Sequence, residues 1–156
     1  MTAKLPFEAV VAQHGATVLR VCRAILGRSD ADDAWSETFL SALRAYPRLR
    51  AGSNLRAWGL TVAHRKALDV HRARSRAPVA VGVAGEDRSS PAPADPDDEL
   101  WEAVRALPDG QRAALTLRFA GDLEPREVAA ALRISPEAAR RRIADGLARL
   151  RLEYDA

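Results

Sequence analysis

Arg140, Arg141 and Arg142 stand in a row shortly after Ser135, Pro136 and Glu137, and a helix bearing such a row is equipped to grip phosphate or a guanine edge. That is binding chemistry, not bond making. Ser135 offers a capping hydroxyl, Pro136 suits a first helical position, and Glu137 is an early carboxylate favoured by the helix dipole. A helix is therefore predicted from Pro136. Along it Ala139, Ile143, Leu147 and Leu150 recur at spacings of four and three and define an apolar face, while Arg140, Arg141, Asp145 and Arg149 point elsewhere. Upstream, Pro125 and Glu127 open a shorter helix whose Val128, Ala129 and Leu132 match that face, leaving Arg133 and Ile134 for the turn. The pattern is that of a DNA-reading helix-turn-helix, with two imperfections. Glu124 stands where a better N-cap such as Ser is expected, and Gly146 costs its helix about 1 kcal/mol relative to Ala. A charge run taken alone reads more readily as a solvated helix face.

Other chemistries find no support in the residue pattern. There are no paired carboxylates, no Ser-His-Asp order and no glycine loop to cradle phosphate, so the chain is not expected to be an enzyme. His64 and His71 share one helix face but lack a third ligand, and no metal or other cofactor is expected. Cys22 is the only cysteine, which excludes an intrachain disulfide or a cysteine zinc cluster and fits a reducing cytosol. Its spacing from Leu19, Ile25 and Leu26 assigns it to the core.

The elements that must carry these residues are helical. Hydrophobic residues make up 47% of the 156-residue chain, enough for one ordinary domain or two small ones, and Ala, Leu and Val fill the apolar positions without alternating strand patterns. The expected fold is all-α. A first helix is predicted over residues 5–26, with Phe7, Val10, Val11, Val18, Leu19, Cys22, Ile25 and Leu26 as its stripe and Gly27 as its stop. Ser29 or Asp30 caps a second helix to residue 45, carrying Trp35, Phe39 and Leu43, and Pro47 ends it. Asn54 caps a third over 55–76, apolar early at Leu55, Trp58 and Val62 and basic late. Residues 77–98, rich in Pro, Ala, Gly, Ser and Asp, read as a flexible linker between two small helical domains, 1–76 and 99–156. In the second, Leu100, Trp101, Val104 and Leu107 give a helix ended by Pro108, and residues 111–119 give another before the helix-turn-helix.

Net charge is +3, but its sign is unevenly spread: residues 64–76 and 133–151 are basic and residues 86–102 acidic. Two basic patches suggest two contacts with a polyanion. Glu8, Gln13, His14 and Arg20 interrupt any signal-peptide core, no stretch is expected to span a bilayer, and a soluble cytoplasmic protein is predicted.

In order and spacing these residues resemble the extracytoplasmic-function group of bacterial RNA polymerase sigma factors, across both domains and the linker. The run Asp32-Asp33-Ala34-Trp35-Ser36-Glu37-Thr38-Phe39-Leu40 is similar to that family's acidic helix for core polymerase, with Ser36 where Gln is usual. Residues 58–72 resemble the segment that melts and reads the minus-10 promoter element, with Trp58, Ala63, Asp69 and Arg72 in register. Arg65 replaces the usual Asn there, and His64 stands where Arg is frequent. Leu107-Pro108, Gln111-Arg112, Leu117-Arg118 and Val128-Ala129 match the pattern of the region that docks on the minus-35 element. Its usual Gly-Thr-Val reads Glu137-Ala138-Ala139 here, and its usual turn Gly reads Arg133.

The resemblance implies a promoter-specificity subunit. It assigns core polymerase binding to Asp32, Asp33, Trp35, Ser36, Glu37, Phe39 and Leu40. Minus-10 DNA falls to Arg56, Trp58, His64, Arg65, Lys66, Asp69, Arg72, Arg74 and Arg76, and minus-35 DNA to Arg118, Glu137, Ala138, Arg140, Arg141, Arg142 and Asp145. Core RNA polymerase, promoter DNA and an anti-sigma factor covering both DNA surfaces are the implied partners. Physical chemistry is compatible with these roles: Arg118, outside the recognition helix, suits a phosphate anchor, and a ring such as Trp58 can stack on an unpaired base. Trp58 fits better on a buried face with Leu55 and Val62. Glu86, Asp87, Asp95, Asp97 and Asp98 resemble the sigma segment that threads polymerase, or serve as a solvated tether. Two alternatives remain at this point: a free-standing helix-turn-helix repressor that dimerises through its first domain, and a helical adaptor diverged from sigma factors, suggested by Arg65, Ala138 and Ala139.

Overall fold

A computed structural model describes residues 4–76 and 96–155, and every regular element among them is helical. Most of the expected linker, residues 77–95, lies outside the described residues, and the next helix opens at Pro96, inside the stretch expected to be linker.

Helices α1 (Phe7–Leu26), α2 (Arg28–Ala45) and α3 (Leu55–Arg76) form a first unit in which each packs on the other two. Gly27 adopts φ 76° and its N–H donates to the Arg23 carbonyl at 2.8 Å, so the chain reverses within one residue. This corrects the expected start of α2. The helix begins at Arg28, which places Asp30 inside the first turn, where its buried carboxylate takes the Arg74 guanidinium instead of capping. A 3₁₀ turn, Tyr46–Arg48, ends the helix as Pro47 implied. The Tyr46 hydroxyl donates to the Leu5 carbonyl, and its ring lies 5.4 Å from Phe7 and 6.5 Å from Trp58. Asn54 caps α3 as expected, its Oδ1 accepting the Ala57 N–H at 3.1 Å.

The second unit runs through α4 (Pro96–Arg105), α5 (Asp109–Leu115), α6 (Pro125–Leu132) and α7 (Pro136–Asp155). The helix expected over 111–119 starts earlier, behind Pro108, and after Leu115 widens into a π-helical turn, Thr116–Ala120. That turn points Leu117 and Ala120 fully inward and leaves Phe119 outside. Gly146 is required by packing: a Cβ there would lie 2.9 Å from Leu115 Cδ1, so the residue that weakens α7 locally lets α5 and α7 approach.

The two units are not separate cores. Val18, Val21, Ile25, Leu60 and Ala63 of the first belong to one continuous cluster with Leu117, Leu123, Val128, Ala129 and Ala139 of the second. Helix α1 meets the π-helical turn and α4, while α3 meets α6. Val104, Leu107, Leu115 and Leu150 form a smaller cluster behind α7. By length and composition alone α1, with a mean hydropathy of 1.2, is apolar enough to cross a bilayer, contrary to expectation. Its Val10, Val18, Val21, Cys22 and Ile25 are instead buried in this core.

Candidate nucleic-acid and polymerase interfaces

The helix-turn-helix is built by its caps. Glu127, three residues into α6, turns its carboxylate back to accept the Glu124 N–H at 2.8 Å, so Glu124 serves as N-cap in a reciprocal arrangement that the absence of Ser had argued against. Arg133 occupies the left-handed region at φ 58°, ψ 46°, and Ser135 Oγ accepts the Ala138 N–H at 3.1 Å to start α7. Ala139 and Leu150 are buried, and Ile143 and Leu147 half-buried, on the inner face. Glu137, Arg140, Arg141 and Asp145 are exposed on the other, with Ala138 half-buried beside them. Arg142 departs from the expected row. It is half-buried and lies across α5, where a Cβ on Gly110 would sit 3.2 Å from its guanidinium. Arg118 is turned inward as well, its Nη1 donating to the Leu123 carbonyl at 3.1 Å and its guanidinium 5.5 Å from the Phe119 ring. It braces the loop into α6.

Helix α3 divides its candidates among three environments. Arg65, Asp69, Arg72 and Arg76, spaced by four and three, form an exposed strip. Lys66 is half-buried beside it, and Trp58 is half-buried against Tyr46. His64 is buried, and burial reinforced by Arg112, Arg65 and Arg72 pushes its pKa from 6.5 down to about 4. A buried neutral imidazole is not presented for stacking on a base. Arg74 is held by Asp30. Arg56 pairs at 3.5 Å with Glu127 of α6. The same carboxylate accepts Asn54 Nδ2 at 2.7 Å, and the Glu124 N–H, with Asn54 and Arg56, holds it below its ordinary pKa against the opposing effect of burial. Between the units a cleft of about 450 Å³ is lined by His71, Arg72 and Arg76 of α3 and by Asp109 and Arg112 of α5. Arg112 joins the α3 cations only because the units dock, and no signal in local sequence marks that.

On α2, Asp32, Asp33, Ser36, Glu37 and Leu40 are exposed. Trp35 and Phe39 are half-buried: the indole Nε1–H donates to the Gly15 carbonyl at 2.9 Å, and the two rings stand 4.7 Å apart. Sequence reasoning placed Leu43 on the buried stripe with these rings, but it is 50% exposed beside Leu40 at 49%. The three-residue spacing between the two leucines was the available signal. The acidic edge of α2 thus carries two exposed leucines.

The fold and these surfaces define an all-helical DNA-binding protein of two docked units. Residues 10–77 match the family model Sigma-70 region 2 and residues 97–150 match Sigma-70, region 4. The chain is 31% identical to the RNA polymerase sigma factor CarQ of Myxococcus xanthus, over 93% of this chain and 87% of that one. Among solved structures it is similar to CnrH in complex with the cytosolic domain of CnrY, with TM-score 0.73, 23% identity and coverage of 96% and 87% of the two chains. It is similar also to the sigma factor RpoE in complex with the anti-sigma factor NepR from Bartonella quintana, with TM-score 0.76, 19% identity and coverage of 96% and 97%. The chain belongs to the extracytoplasmic-function group of the sigma-70 family and is an RNA polymerase sigma factor.

Proposed function

We propose a division of labour in which α2 binds core polymerase through Asp32, Asp33, Ser36, Glu37 and Leu40, α3 opens and reads the minus-10 element, and α7 reads the minus-35 element. The carrying observation is α7: a capped recognition helix whose apolar face is packed and whose Arg140 and Arg141 are free. Each guanidinium is suited to bidentate contact with guanine or with phosphate. For α3 the exposed strip of Arg65, Arg72 and Arg76 supplies the cations that track a DNA backbone. The domain that carries the first two tasks spans residues 1–76 and the one that carries the third begins with α4 at Pro96, and the protein works in the cytoplasm, where its polymerase is.

An anti-sigma factor is the proposed inhibitory partner. The solved RpoE structure to which this fold is similar is a complex with one. Run-off transcription with purified core polymerase, on DNA from upstream of the protein's own gene, tests the whole reading. A discrete transcript that appears only with this protein is the expected result. Failure to bind core polymerase would overturn it.

A further inference from the structure

We propose that the cleft between α3 and α5 is a binding site for a nucleoside polyphosphate, with the phosphates among Arg72, Arg76 and Arg112 and the nucleoside against Leu68 and Ala113. The site stands apart from the division of labour above and shares with it only Arg72 and Arg76. On α3, Leu68, His71 and Arg72 stand at i, i+3 and i+4, with Arg76 one turn further on, and on α5, Asp109, Arg112 and Ala113 repeat that spacing. Each helix therefore turns one row of side chains into the opening. Leu68 and Ala113 are half-buried while Arg72 and Arg76 are exposed, so apolar surface lies deeper and charge lies nearer the mouth. A volume of about 450 Å³ lies in the range of small-molecule sites.

Charge is the second observation. Three guanidinium groups line the cleft against one carboxylate among the described residues, and that one, Asp109, is exposed and already engaged with Arg112 at 2.9 Å. The excess is felt at buried His64, whose pKa burial, and after it Arg112, Arg65 and Arg72, pushes down to about 4. The carboxyl end of α3 favours a cation such as Arg76 in its own right, but it does not account for Arg112, which another helix brings to the same cleft. Arg112 is fixed in place by Asp109 and by the Arg105 carbonyl, which accepts its Nη1 at 3.4 Å. Guanidinium groups gathered from two helices without matching carboxylates suit phosphate oxygens, which each can take as a bidentate pair. Two linked phosphates offer oxygens to both rows, and one phosphate offers fewer.

Calorimetric titration of the full chain at constant ionic strength tests this with inorganic phosphate, inorganic pyrophosphate and ADP. Pyrophosphate should bind more tightly than phosphate, and ADP more tightly than pyrophosphate, because its nucleoside covers apolar surface. Arg76→Gln should lower affinity for pyrophosphate on the order of tenfold, the size of one charge-assisted contact. Asp109→Asn should raise it a few-fold by releasing Arg112, and a gain cannot arise from a damaged fold. Arg44→Gln is the control. It removes an exposed charge at the far end of α2, whose start is the end held beside the last turns of α3 by the Asp30–Arg74 pair, and should leave affinity unchanged. No binding of pyrophosphate, no gain in Asp109→Asn, or an equal loss in Arg76→Gln and Arg44→Gln overturns the site, the last by showing diffuse surface charge. Binding of pyrophosphate that ADP does not exceed overturns the place given to the nucleoside and leaves a site for the inorganic anion.

Discussion

Helices α3 and α7 are both long, basic and assigned to DNA, yet they present their cations differently. Helix α7 packs one face and leaves the other to solvent, so Arg140 and Arg141 stand where a simple amphipathic projection places them. Helix α3 is packed on more than one side: α1 and α2 cover it, and α6 reaches it from the second unit. Of the residues that read from the sequence as DNA contacts, His64 is buried in the interior, while Arg74 stays exposed but is ion-paired with Asp30. A free face can be read from periodicity alone. A doubly packed helix can be read only once its second neighbour is known.

If α3 is the hinge of a shared core, the largest expected effect comes from cutting that core beneath it. Leu60 is 1% exposed and sits against Gly121 of the other unit. Leu60→Ala is expected to cost about 3 kcal/mol. In calorimetry the parent should melt in one transition through both units. Two transitions in the parent would break the claim of one core.

A pH titration sharpens the same contrast. Burial, with Arg112, Arg65 and Arg72 alongside, holds the His64 pKa at about 4 in the folded chain against an ordinary 6.5. Above pH 6.5 the imidazole is neutral in both states and its contribution to stability is complete. As pH falls from 6.5 to 4, the unfolded chain takes up a proton that the folded chain refuses, and stability drops by about 3 kcal/mol before levelling off. Glu127, held below its ordinary range, adds a loss at lower pH as it protonates. Denaturant titrations across this window should show the slope in the parent and a flatter curve in His64→Gln.

The functional split predicts effects of about 1–3 kcal/mol, in opposite assays. Arg140→Ala should weaken promoter binding by the polymerase complex and leave affinity for core unchanged. Leu40→Asp should weaken core affinity and leave promoter discrimination unchanged once complex has formed. Leu40 is a cleaner probe than Phe39, whose ring also packs on Trp35 and Phe7. Equal losses in both assays from either substitution would contradict the split.

Legibility in the sequence followed how local the controlling physics was. The cap at Asn54, the start at Pro136, the stop at Gly27 and the helix-turn-helix depend on a few neighbouring residues, and all four stand where the chain chemistry placed them. The π-helical turn was not legible, because it serves to aim Leu117 and Ala120 at α1 from a distant part of the chain. Gly146 read as a weakness because its reason, Leu115, lies on another helix. The same distance hid the inward turn of Arg118 and Arg142. For α2 the acidic face was legible, while Leu43, which shares four-residue spacing with Trp35 and Phe39, stands exposed beside Leu40.

The smallest expected effect concerns the turn between α6 and α7, where the family's usual glycine is replaced by Arg133. Its φ of 58° is open to glycine without a Cβ penalty and costs an L-residue about 1–2 kcal/mol. Glycine carries an entropic cost of roughly 0.5–1 kcal/mol in return. Arg133→Gly is therefore expected to stabilise the chain by no more than about 1 kcal/mol, read as a small rise in denaturant midpoint at constant slope. Arg133 is exposed, and its backbone N–H donates to the Ala130 carbonyl at 3.3 Å in a bond that glycine keeps. A loss of stability in Arg133→Gly would mean that the guanidinium supports the turn, and the contrast between a locally built α7 and a remotely held α3 would weaken at the residue that joins the two halves of the motif.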